Sequence, residues 1–379
     1  MRIAINTRFL LKDKMEGFGW FTFETVKRIA EAHPEHQFVF FFDRPFDPKF
    51  VFSKNVEPVV LNPPARHPIL FKIWFNISVK RALKKHKIDL FFSPDGFLSL
   101  TTDTPQVGVI HDINFEHFPE DLPKAPRNYL KKYFPLFAKK AQHLITVSEF
   151  SKQDIAKTYN IPLDKITVAH NGGSDAFKSL NEAVKLEVRN KFTNGKPYFI
   201  FVGALHPRKN LGRLLAAFDA FKKETNSDNQ LLIVGESLWK NAGFTEKLGQ
   251  ITHKDSIHFS GHVDLDTLTQ LMGSARALTF VSYFEGFGIP LVEAMKAGTP
   301  IVCGDKTALP EVAGEAGLMT DPYSIDSIKN ALVRIETDEE LRKDLIAKGL
   351  ERGQLFSWDF TAEKIWAVLE NHFPAESKS

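Results

Sequence analysis

Short apolar runs alternate along this chain with longer stretches whose apolar residues recur every three to four positions. The short runs predict buried strands, and the longer stretches predict amphipathic helices. In the first half, strands are predicted at 2–6, 37–42, 89–93, 106–110, 143–148 and 165–169. In the second half they are predicted at 198–203, 230–235, 256–261, 277–282 and 300–304. Helical patterns lie between many of these strands, and one more is found at 361–373.

This alternation of strands and helices indicates parallel sheets with helices on both faces. At 379 residues the chain is long for one hydrophobic core, so two domains are expected. A polar stretch with glycine and proline at 190–197 separates the two sets of strands. The predicted fold class is therefore α/β, with two doubly wound parallel-sheet domains. We place an N-terminal domain at 1–178, a C-terminal domain at 179–360 and a last helical segment at 361–379.

Composition narrows the class of protein. The single cysteine, Cys303, excludes a framework of internal disulfides and fits a reducing compartment. The N-terminus lacks the layout of a signal peptide and no apolar stretch is long enough to span a bilayer, so a cytoplasmic protein is expected. Residues 1–180 carry 26 Lys or Arg against 19 Asp or Glu. This basic half fits contact with an anionic membrane or acceptor, or an ordinary solvated surface, and no nucleic acid is expected as a partner.

Residues 284–294, FEGFGIPLVEA, combine two glutamates, two glycines and a proline directly after a predicted strand. Pro290 fits the first turn of a helix, where its missing N–H is not needed. The stretch therefore predicts a strand, a glycine-containing turn and a helix, and such a turn aims free N–H groups at a ligand. Glu285 is expected in the turn and Glu293 in the first helical turn. For one glutamate alone, a favourable interaction with the helix dipole would be a sufficient explanation.

A second stretch, GALHPRKNL, supplies cations after the strand that begins the second half. Gly203 allows a tight exit from that strand, and Asn210 is expected to cap the following helix. Arg208 and Lys209 lie immediately before the cap, where cations beside a helix N-terminus form an anion site. The alternative is an exposed basic pair on a loop. Because ligands bind beyond the carboxyl ends of strands in open α/β sheets, this stretch and 284–294 could together bind a diphosphate.

These two stretches together resemble the donor-binding signature of retaining glycosyltransferases of family 4. The resemblance extends over nearly the whole chain through further motifs, namely EGFGW (16–20), VIHD (109–112), TVSEFSK (146–152), HNGG (170–173) and LPEVAGEAG (309–317). The family implies the GT-B fold, in which two Rossmann-like domains face each other across a cleft. It implies that the C-terminal domain binds the donor and that the N-terminal domain mainly binds the acceptor. It also implies that the last helix crosses back to the N-terminal domain.

The resemblance implies a role for each matching residue. Arg208 and Lys209 would contact the donor diphosphate. Glu293 would bind the ribose, and Glu285 the transferred sugar. The donor site would be completed by residues of the same two turns, namely Gly203, Gly286, Phe287 and Gly288.

Two further residues are assigned by resemblance in the first half of the chain. Gly19, in a glycine-rich N-terminal loop, would approach the diphosphate from the other side. His111 would contact the donor sugar near the reacting carbon. The catalytic candidates are therefore His111, Glu285, Arg208 and Lys209.

The predicted function is transfer of a hexose, with mannose as one candidate, from a nucleoside diphosphate sugar to a hydroxyl of a glycan, glycolipid or other acceptor. The family implies retention of the donor's anomeric configuration. No residue presents itself as a covalent nucleophile, and the cations with the helix starts would stabilise the leaving diphosphate. No cofactor and no metal are expected. Two alternatives stay open, another GT-B enzyme such as a nucleotide-sugar epimerase, and a non-catalytic nucleotide-sugar binding protein.

Two stretches suggest other interpretations. Asp264 and Asp266 match the Asp-x-Asp pattern of metal-dependent glycosyltransferases, but their place before a predicted helix favours an N-cap and an acidic first turn. Residues 68–87 are apolar, aromatic and basic, and could lie on a membrane surface. We favour a helix packed on the sheet with a solvated Lys/Arg face, or a part of the acceptor groove.

Overall fold

The computed structural model of the protein describes residues 1–12, 15, 17–235 and 248–373. The chain divides into two compact units. The N-terminal unit comprises residues 1–171 together with the segment that starts at Trp358, and the C-terminal unit comprises 172–357. Each unit contains a parallel β-sheet with its own hydrophobic core.

The sheet of the N-terminal unit has seven parallel strands among the described residues, in the spatial order β3-β2-β1-β4-β5-β6-β7. These strands are β1 (Arg2–Asn6), β2 (Gln37–Phe42), β3 (Val56–Val60), β4 (Leu90–Ser93), β5 (Gln106–Val109), β6 (His143–Thr146) and β7 (Ile166–Val168). The helices are α1 (Gly17–Ala32), α2 (Pro68–Ile73), α3 (Lys80–Lys85), α4 (Asn114–His117), α5 (Lys124–Lys140) and α6 (Glu149–Tyr159). A π-helical segment, Trp74–Val79, joins α2 to α3.

The sheet of the C-terminal unit has six parallel strands in the described part of the chain, in the order β10-β9-β8-β11-β12-β13. They are β8 (Tyr198–Val202), β9 (Gln230–Val234), β10 (Ile257–Gly261), β11 (Ala277–Phe280), β12 (Ile301–Gly304) and β13 (Gly317–Thr320). The helices are α7 (Glu182–Thr193), α8 (Leu211–Thr225), α9 (Leu265–Ser274), α10 (Ile289–Lys296), α11 (Leu309–Ala313), α12 (Ile325–Thr337) and α13 (Glu339–Gly353). Short 3₁₀ turns occur in both units, at Pro48–Phe50, Pro119–Asp121, Leu163–Lys165, Pro207–Lys209, Lys254–Ser256 and Gly314–Ala316.

Both sheets share the strand order of a doubly wound Rossmann fold. The first strand of each unit pairs on one side with the second and on the other side with the fourth, so β1 lies between β2 and β4, and β8 between β9 and β11. The winding reverses between β1 and β4 in one unit and between β8 and β11 in the other. Ligands of open α/β sheets bind beyond the carboxyl ends of the strands at this switch point.

The predicted fold class, two doubly wound parallel α/β sheets, is confirmed. Every predicted strand is present within two residues of its predicted limits. The structure adds β3 and β13, which the hydrophobic pattern did not predict. β3 carries a glutamate and Pro58 inside an edge strand, and β13 is only four residues long and mostly half-buried. Both strands lie at a sheet edge, where a weaker apolar pattern is sufficient.

The limits of the units differ from the predicted 178/179 and 360/361. The segment that follows Asn171 already packs in the C-terminal unit, because the Gly173 N–H donates to the Phe356 carbonyl at 3.3 Å and Lys296 Nζ donates to the Gly173 carbonyl at 2.8 Å. The polar stretch 190–197 is the end of α7 and the turn before β8. It is therefore part of the C-terminal unit and does not link the two units.

The last helix, α14 (Trp358–Asn371), belongs to the N-terminal unit and packs on α1. Arg28 Nε donates to Asp359 Oδ1 at 2.5 Å, and the ring of His33 stacks on Trp366 with centroids 3.6 Å apart. The chain thus returns to its first unit three residues earlier than the sequence analysis placed it.

Residues 68–85 form one continuous helical segment. Trp74, Phe75 and Leu83 are buried in the core of the N-terminal unit, in one cluster with Val39 and Phe91 of the sheet. The exposed positions of the segment are mainly basic, namely Lys72, Lys80, Arg81, Lys84 and Lys85. This is the packed helix with a solvated basic face that the sequence analysis favoured. Among the described residues, no helix has the length and apolar character needed to cross a membrane.

Candidate active site

A tight turn after β8 presents the two predicted cations. Gly203 leaves the strand with φ of +147°, and its N–H donates to the Val234 carbonyl at 3.0 Å. In the 3₁₀ turn that follows, the His206 ring accepts from the Arg208 N–H at 3.4 Å, and the His206 carbonyl accepts from the Lys209 N–H at 2.9 Å. The backbone carrying both cations is therefore fixed by local hydrogen bonds.

Asn210 lies at the start of α8, but its side chain does not cap the helix, so that prediction is wrong. Its backbone is left-handed, with φ of +61°. Its Nδ2 donates to the carbonyls of Val281, at 3.0 Å, and Pro322, at 2.6 Å. Two buried carbonyls outcompete the helix N–H groups for this amide, and Asn210 therefore ties the turn after β8 to the segments after β11 and β13.

The turn after β11 is held against the first turn. The Tyr283 N–H donates to the Arg208 carbonyl at 3.0 Å. Gly288 has φ of +100°, and a Cβ there would lie 2.9 Å from Leu309 Cδ2, so this position requires glycine. α10 then begins at Ile289 with Pro290 in its first turn, as predicted. Glu293 is the fifth residue of the helix and lies in its second turn, one turn later than predicted.

The structure brings together three of the predicted residues. Arg208 Nη1 lies 2.6 Å from Glu285 Oε2, and Lys209 Nζ lies 2.7 Å from Glu285 Oε1. Glu285 is only 5% exposed. Burial alone would raise the pKa of Glu285, but the charges of Arg208 and Lys209 outweigh it and hold the pKa at about 2. This cluster of two cations and one carboxylate keeps one net positive charge at the switch point of the C-terminal unit.

Glu293 has a different environment on α10. Among the residues that the structure describes, its carboxyl group has no hydrogen-bond or ion-pair partner. Burial raises its pKa to about 7. Hydrogen-bond donors would compensate this carboxyl group for its burial, and the two hydroxyls of a vicinal diol can supply them.

Sequence reasoning missed the residue that supports Glu285. The Thr307 hydroxyl accepts from the Glu285 N–H at 3.0 Å, and the Ala308 N–H donates to the Glu285 carbonyl at 3.4 Å. Thr307 itself has φ of +57°. Its position soon after β12, the neighbour of β11, was the available signal, since the ends of adjacent parallel strands lie at one edge.

Two residues of the predicted glycine-rich turn contribute differently. The side chain of Phe287 is buried, with its ring 5.6 Å from that of Phe356, so only its backbone is available to a ligand. Gly286 follows Glu285 in the turn and has no side chain to hinder an approaching ligand.

In the N-terminal unit, Gly19 lies inside α1, so the predicted glycine-rich loop is wrong from Gly17 onward. Glu16, the first residue of that motif, lies outside the described residues. A Cβ at Gly19 would lie 2.7 Å from the Phe9 carbonyl oxygen. The glycine therefore serves a close backbone approach in this unit.

His111 follows β5, as predicted, and is held at one ring nitrogen. Its Nε2 donates to the Pro94 carbonyl at 2.9 Å, because a carbonyl oxygen can only accept. Burial lowers the pKa of His111, which favours the neutral ring. In that tautomer Nδ1 keeps a lone pair and can accept a hydrogen bond.

The Asp-x-Asp motif is a helix cap. Asp264 Oδ1 accepts from the Thr267 N–H at 2.7 Å, and Asp266 lies in the first turn of α9, as predicted. No group of three or more His, Cys, Asp or Glu side chains in the described part of the chain is arranged to hold a metal ion. Metal independence itself stays a prediction.

Two family models match the chain, one described as Glycosyltransferase Family 4 over residues 15–174 and one as Glycosyl transferases group 1 over 185–352. O-antigen chain mannosyltransferase B of Escherichia coli is 29% identical over 360 residues, which cover 92% of this chain and 94% of the relative. O-antigen chain mannosyltransferase RfbU of Salmonella typhimurium is 30% identical over 231 residues, 61% of each chain. Among solved structures, Anabaena Alr3699/HepE in complex with UDP-glucose has a TM-score of 0.75 at 17% identity, over 98% of this chain and 100% of that chain.

Proposed function

Because this chain belongs to glycosyltransferase family 4, with the GT-B fold, and is a glycosyltransferase, we propose that it transfers mannose from a nucleoside diphosphate sugar to a hydroxyl group of a growing polysaccharide. Both relatives named above are O-antigen chain mannosyltransferases, which supports mannose and a glycan acceptor. The observation that carries the proposal is the cluster of Arg208, Lys209 and Glu285 beside β8 and β11. On the following helix lies Glu293, whose carboxyl group has no partner among the residues that the structure describes.

In the proposed mechanism, Arg208 and Lys209 bind the diphosphate. The incoming phosphate oxygens take the place that the Glu285 carboxylate occupies beside both cations. Glu285 then accepts hydrogen bonds from hydroxyls of the mannose, and Glu293 accepts from the ribose diol.

The bond between the anomeric carbon and the phosphate oxygen breaks with its electron pair going to the diphosphate. The two cations stabilise the negative charge that develops there. The acceptor oxygen attacks from the face that the diphosphate leaves, and its proton passes to the diphosphate, so the configuration is retained. Retention and the roles of His111 and Gly19 rest on the family resemblance and are proposals for this chain.

Sugar transfer can be tested with a panel of donors, GDP-mannose, UDP-glucose, UDP-galactose and UDP-N-acetylglucosamine, and octyl glycosides of the common hexoses as acceptors. We expect a new disaccharide with a mannose donor, with nucleoside diphosphate released in equal amount and activity unchanged in excess EDTA. Donor epimerisation without transfer would favour an epimerase. Donor binding without release would favour a non-catalytic binding protein.

Activity that EDTA abolishes and Mg²⁺ or Mn²⁺ restores would contradict metal independence and return Asp264 and Asp266 to consideration as metal ligands.

We also propose that the basic side of the α2–α3 segment contacts an anionic membrane, where a lipid-linked acceptor would be found. The exposed cations there accompany Ile69, which is 63% exposed, and Ile77, which is 44% exposed. Each cation near an anionic surface contributes about 1 kcal/mol to membrane binding.

Flotation with phosphatidylcholine vesicles should show binding only when phosphatidylglycerol is added. Changing Lys80, Arg81, Lys84 and Lys85 to Gln should abolish it, whereas Lys343→Gln with Lys348→Gln should not; equal flotation of all three proteins would contradict the proposal.

A further inference from the structure

The switch point of the N-terminal unit holds a buried ion pair. Arg8 lies two residues after β1, and Asp95 lies two residues after β4. Arg8 Nε donates to Asp95 Oδ2 at 2.6 Å, and each residue is only 5% exposed. The Ser93 hydroxyl and the Phe97 N–H both donate to Asp95 Oδ1, at 3.0 and 3.1 Å. The carboxylate is therefore fully engaged, and it fixes Arg8 where ligands of such sheets bind.

Aromatic rings surround the guanidinium group. Arg8 Cζ lies 4.2 Å from the ring centroid of Phe97 and between 4.7 and 5.4 Å from those of three other rings, Phe9, Phe71 and Phe75. Tyr129 of α5 packs against the same set, 5.4 Å from Phe71 and 6.0 Å from Phe97. We name this group, Arg8, Phe9, Phe71, Phe75, Phe97 and Tyr129, the aromatic pocket.

Some hydrogen-bond donors in the aromatic pocket have no partner in the described part of the chain. Arg8 donates from its side chain only through Nε, and Nη1 and Nη2 have no partner among the described residues; the same holds for the Tyr129 hydroxyl. Arg8 is 5% exposed and Tyr129 is 6% exposed. Burial raises the pKa of Tyr129, so its hydroxyl stays protonated and can donate. An ion pair that served only to stabilise the fold would not explain these open donors, since polar groups in protein interiors are generally satisfied.

The aromatic pocket is linked by ring contacts to His111, the catalytic candidate in the same unit. The Phe9 ring lies 5.5 Å from Phe18, and Phe18 lies 4.8 Å from the His111 ring. His111 is also bound to the carbonyl of Pro94, the residue before Asp95. One ring, that of Phe18, therefore connects the aromatic pocket to His111.

We propose that the aromatic pocket binds a neutral sugar ring of the acceptor, an assignment that rests on the proposed function. Aromatic faces carry partial negative charge and attract the C–H groups on the apolar face of a sugar. The terminal N–H groups of Arg8 and the Tyr129 hydroxyl donate to sugar hydroxyls. Because Asp95 already balances the charge of Arg8, the pocket offers directed donors without net charge. This favours a neutral sugar over a phosphate or carboxylate group.

The test removes one donor without disturbing the fold. In Tyr129→Phe we expect the KM for the best octyl glycoside acceptor to rise about three- to tenfold, the value of one hydrogen bond. The donor KM and the thermal midpoint should not change, because this hydroxyl has no hydrogen-bond partner among the described residues. The matched control is Tyr198→Phe, whose buried hydroxyl donates to the Leu271 carbonyl at 2.6 Å in the other unit. It should lower the thermal midpoint and leave the acceptor KM unchanged.

A second variant and a binding measurement separate the possible outcomes. Arg8→Lys keeps a cation beside Asp95 but removes the terminal N–H fork, and it should raise the acceptor KM more than Tyr129→Phe does. Calorimetric titration with octyl α-mannoside tests the pocket without transfer, and binding should be weaker in Tyr129→Phe. An unchanged acceptor KM and unchanged binding in Tyr129→Phe would overturn the pocket, whereas absence of transfer by the wild type counts against the proposed function alone. Inorganic phosphate that competes with the octyl glycoside in the wild type but not in Arg8→Lys would overturn the neutral sugar.

Discussion

Replacing Arg208 and Lys209 together by alanine is expected to weaken binding of a nucleoside diphosphate by about a hundred- to ten-thousandfold. The figure corresponds to two charge-assisted hydrogen bonds of about 1.5–3 kcal/mol each. The fall in kcat/KM for the nucleotide sugar should be at least as large, because negative charge grows on the diphosphate as it leaves. Calorimetric titration with the diphosphate and steady-state kinetics with the donor measure the two effects.

The double variant of Arg208 and Lys209 has to be compared with a further variant, because it leaves Glu285 buried without its two cations. An unpaired buried carboxylate is costly, so the double variant should unfold at a lower temperature than the wild type. Adding Glu285→Gln removes that charge and should restore part of the thermal midpoint without restoring diphosphate binding. If the triple variant folds well and binds the diphosphate like the wild type, the cations do not form the site.

The control removes two positive charges elsewhere in the C-terminal unit. Lys223 pairs with Asp219 along α8, and Lys329 pairs with Glu224 from α12. Changing both to alanine alters the net charge by the same amount, so it should leave diphosphate affinity within about twofold, as expected of surface ion pairs. A loss as large as that of the Arg208 and Lys209 variant would mean that net charge alone governs binding.

Hydrophobic pattern alone was sufficient to locate most of the sheets and one edge of the site. β8 and β11 were evident as apolar runs, and a polar segment after each run placed Arg208 and Glu285 at strand ends. Their adjacency followed only from the strand order of a Rossmann sheet, because nothing in either segment specifies its neighbour. The ion pair between them could not be predicted, since it depends on side-chain directions within two irregular turns.

The wrong and missing predictions from the sequence have a common cause. Asn210 fits an N-cap by residue type, but its left-handed backbone directs the amide to carbonyls of distant segments. Gly19 fits a loop by composition, but it lies inside α1, where its lack of a side chain leaves room for the Phe9 carbonyl oxygen. The Arg8–Asp95 pair went unnoticed because it joins residues 87 positions apart. In each case a tertiary contact decided what local sequence left open.

Loss of charge at the two glutamates of FEGFGIPLVEA should change the affinity for nucleoside diphosphate in opposite directions. Glu293→Gln is expected to weaken nucleoside diphosphate binding by about ten- to a hundredfold, because the ribose loses a charged acceptor. In Glu285→Gln, Arg208 and Lys209 lose the carboxylate that competes with the diphosphate, so affinity should rise by about fivefold, the effect of a screened charge of ~1 kcal/mol.

The pH dependence distinguishes the two residues further. Glu293 has its pKa raised to about 7, and the ribose favours the ionised form, so diphosphate affinity should increase as the pH rises through that value. Between pH 8 and pH 6 the Glu293 contribution falls by about tenfold. The diphosphate also titrates in this range, but equally for both proteins, so the difference between wild type and Glu293→Gln isolates the carboxyl group.

Folding stability should also depend on the protonation of Glu293, but it should change with pH in the direction opposite to that of diphosphate affinity. The pKa of Glu293 is raised above its ordinary value of 4.5, so folding favours the protonated form. The free energy of unfolding of the ligand-free protein should therefore fall as the pH rises from about 4.5 to about 7, relative to Glu293→Gln. The pKa of Glu285 is lowered to about 2, so its stabilising contribution is complete above its ordinary value of 4.5 and is lost only as the pH falls towards 2.

The kinetic parameters kcat and KM should also distinguish Glu285 from Glu293. Glu285→Gln should lower kcat by about a hundredfold despite tighter diphosphate binding, because the sugar hydroxyls that Glu285 would orient carry the reacting carbon into position. Glu293→Gln should act mainly on donor KM, since the ribose contact is equal in ground and transition states. Glu224→Gln, which alters a surface partner of Lys329, is the control for charge and should match the wild type. Equal loss of diphosphate affinity in Glu285→Gln and Glu293→Gln, or normal turnover in Glu285→Gln, would show that the two carboxyl groups do not divide the donor between them.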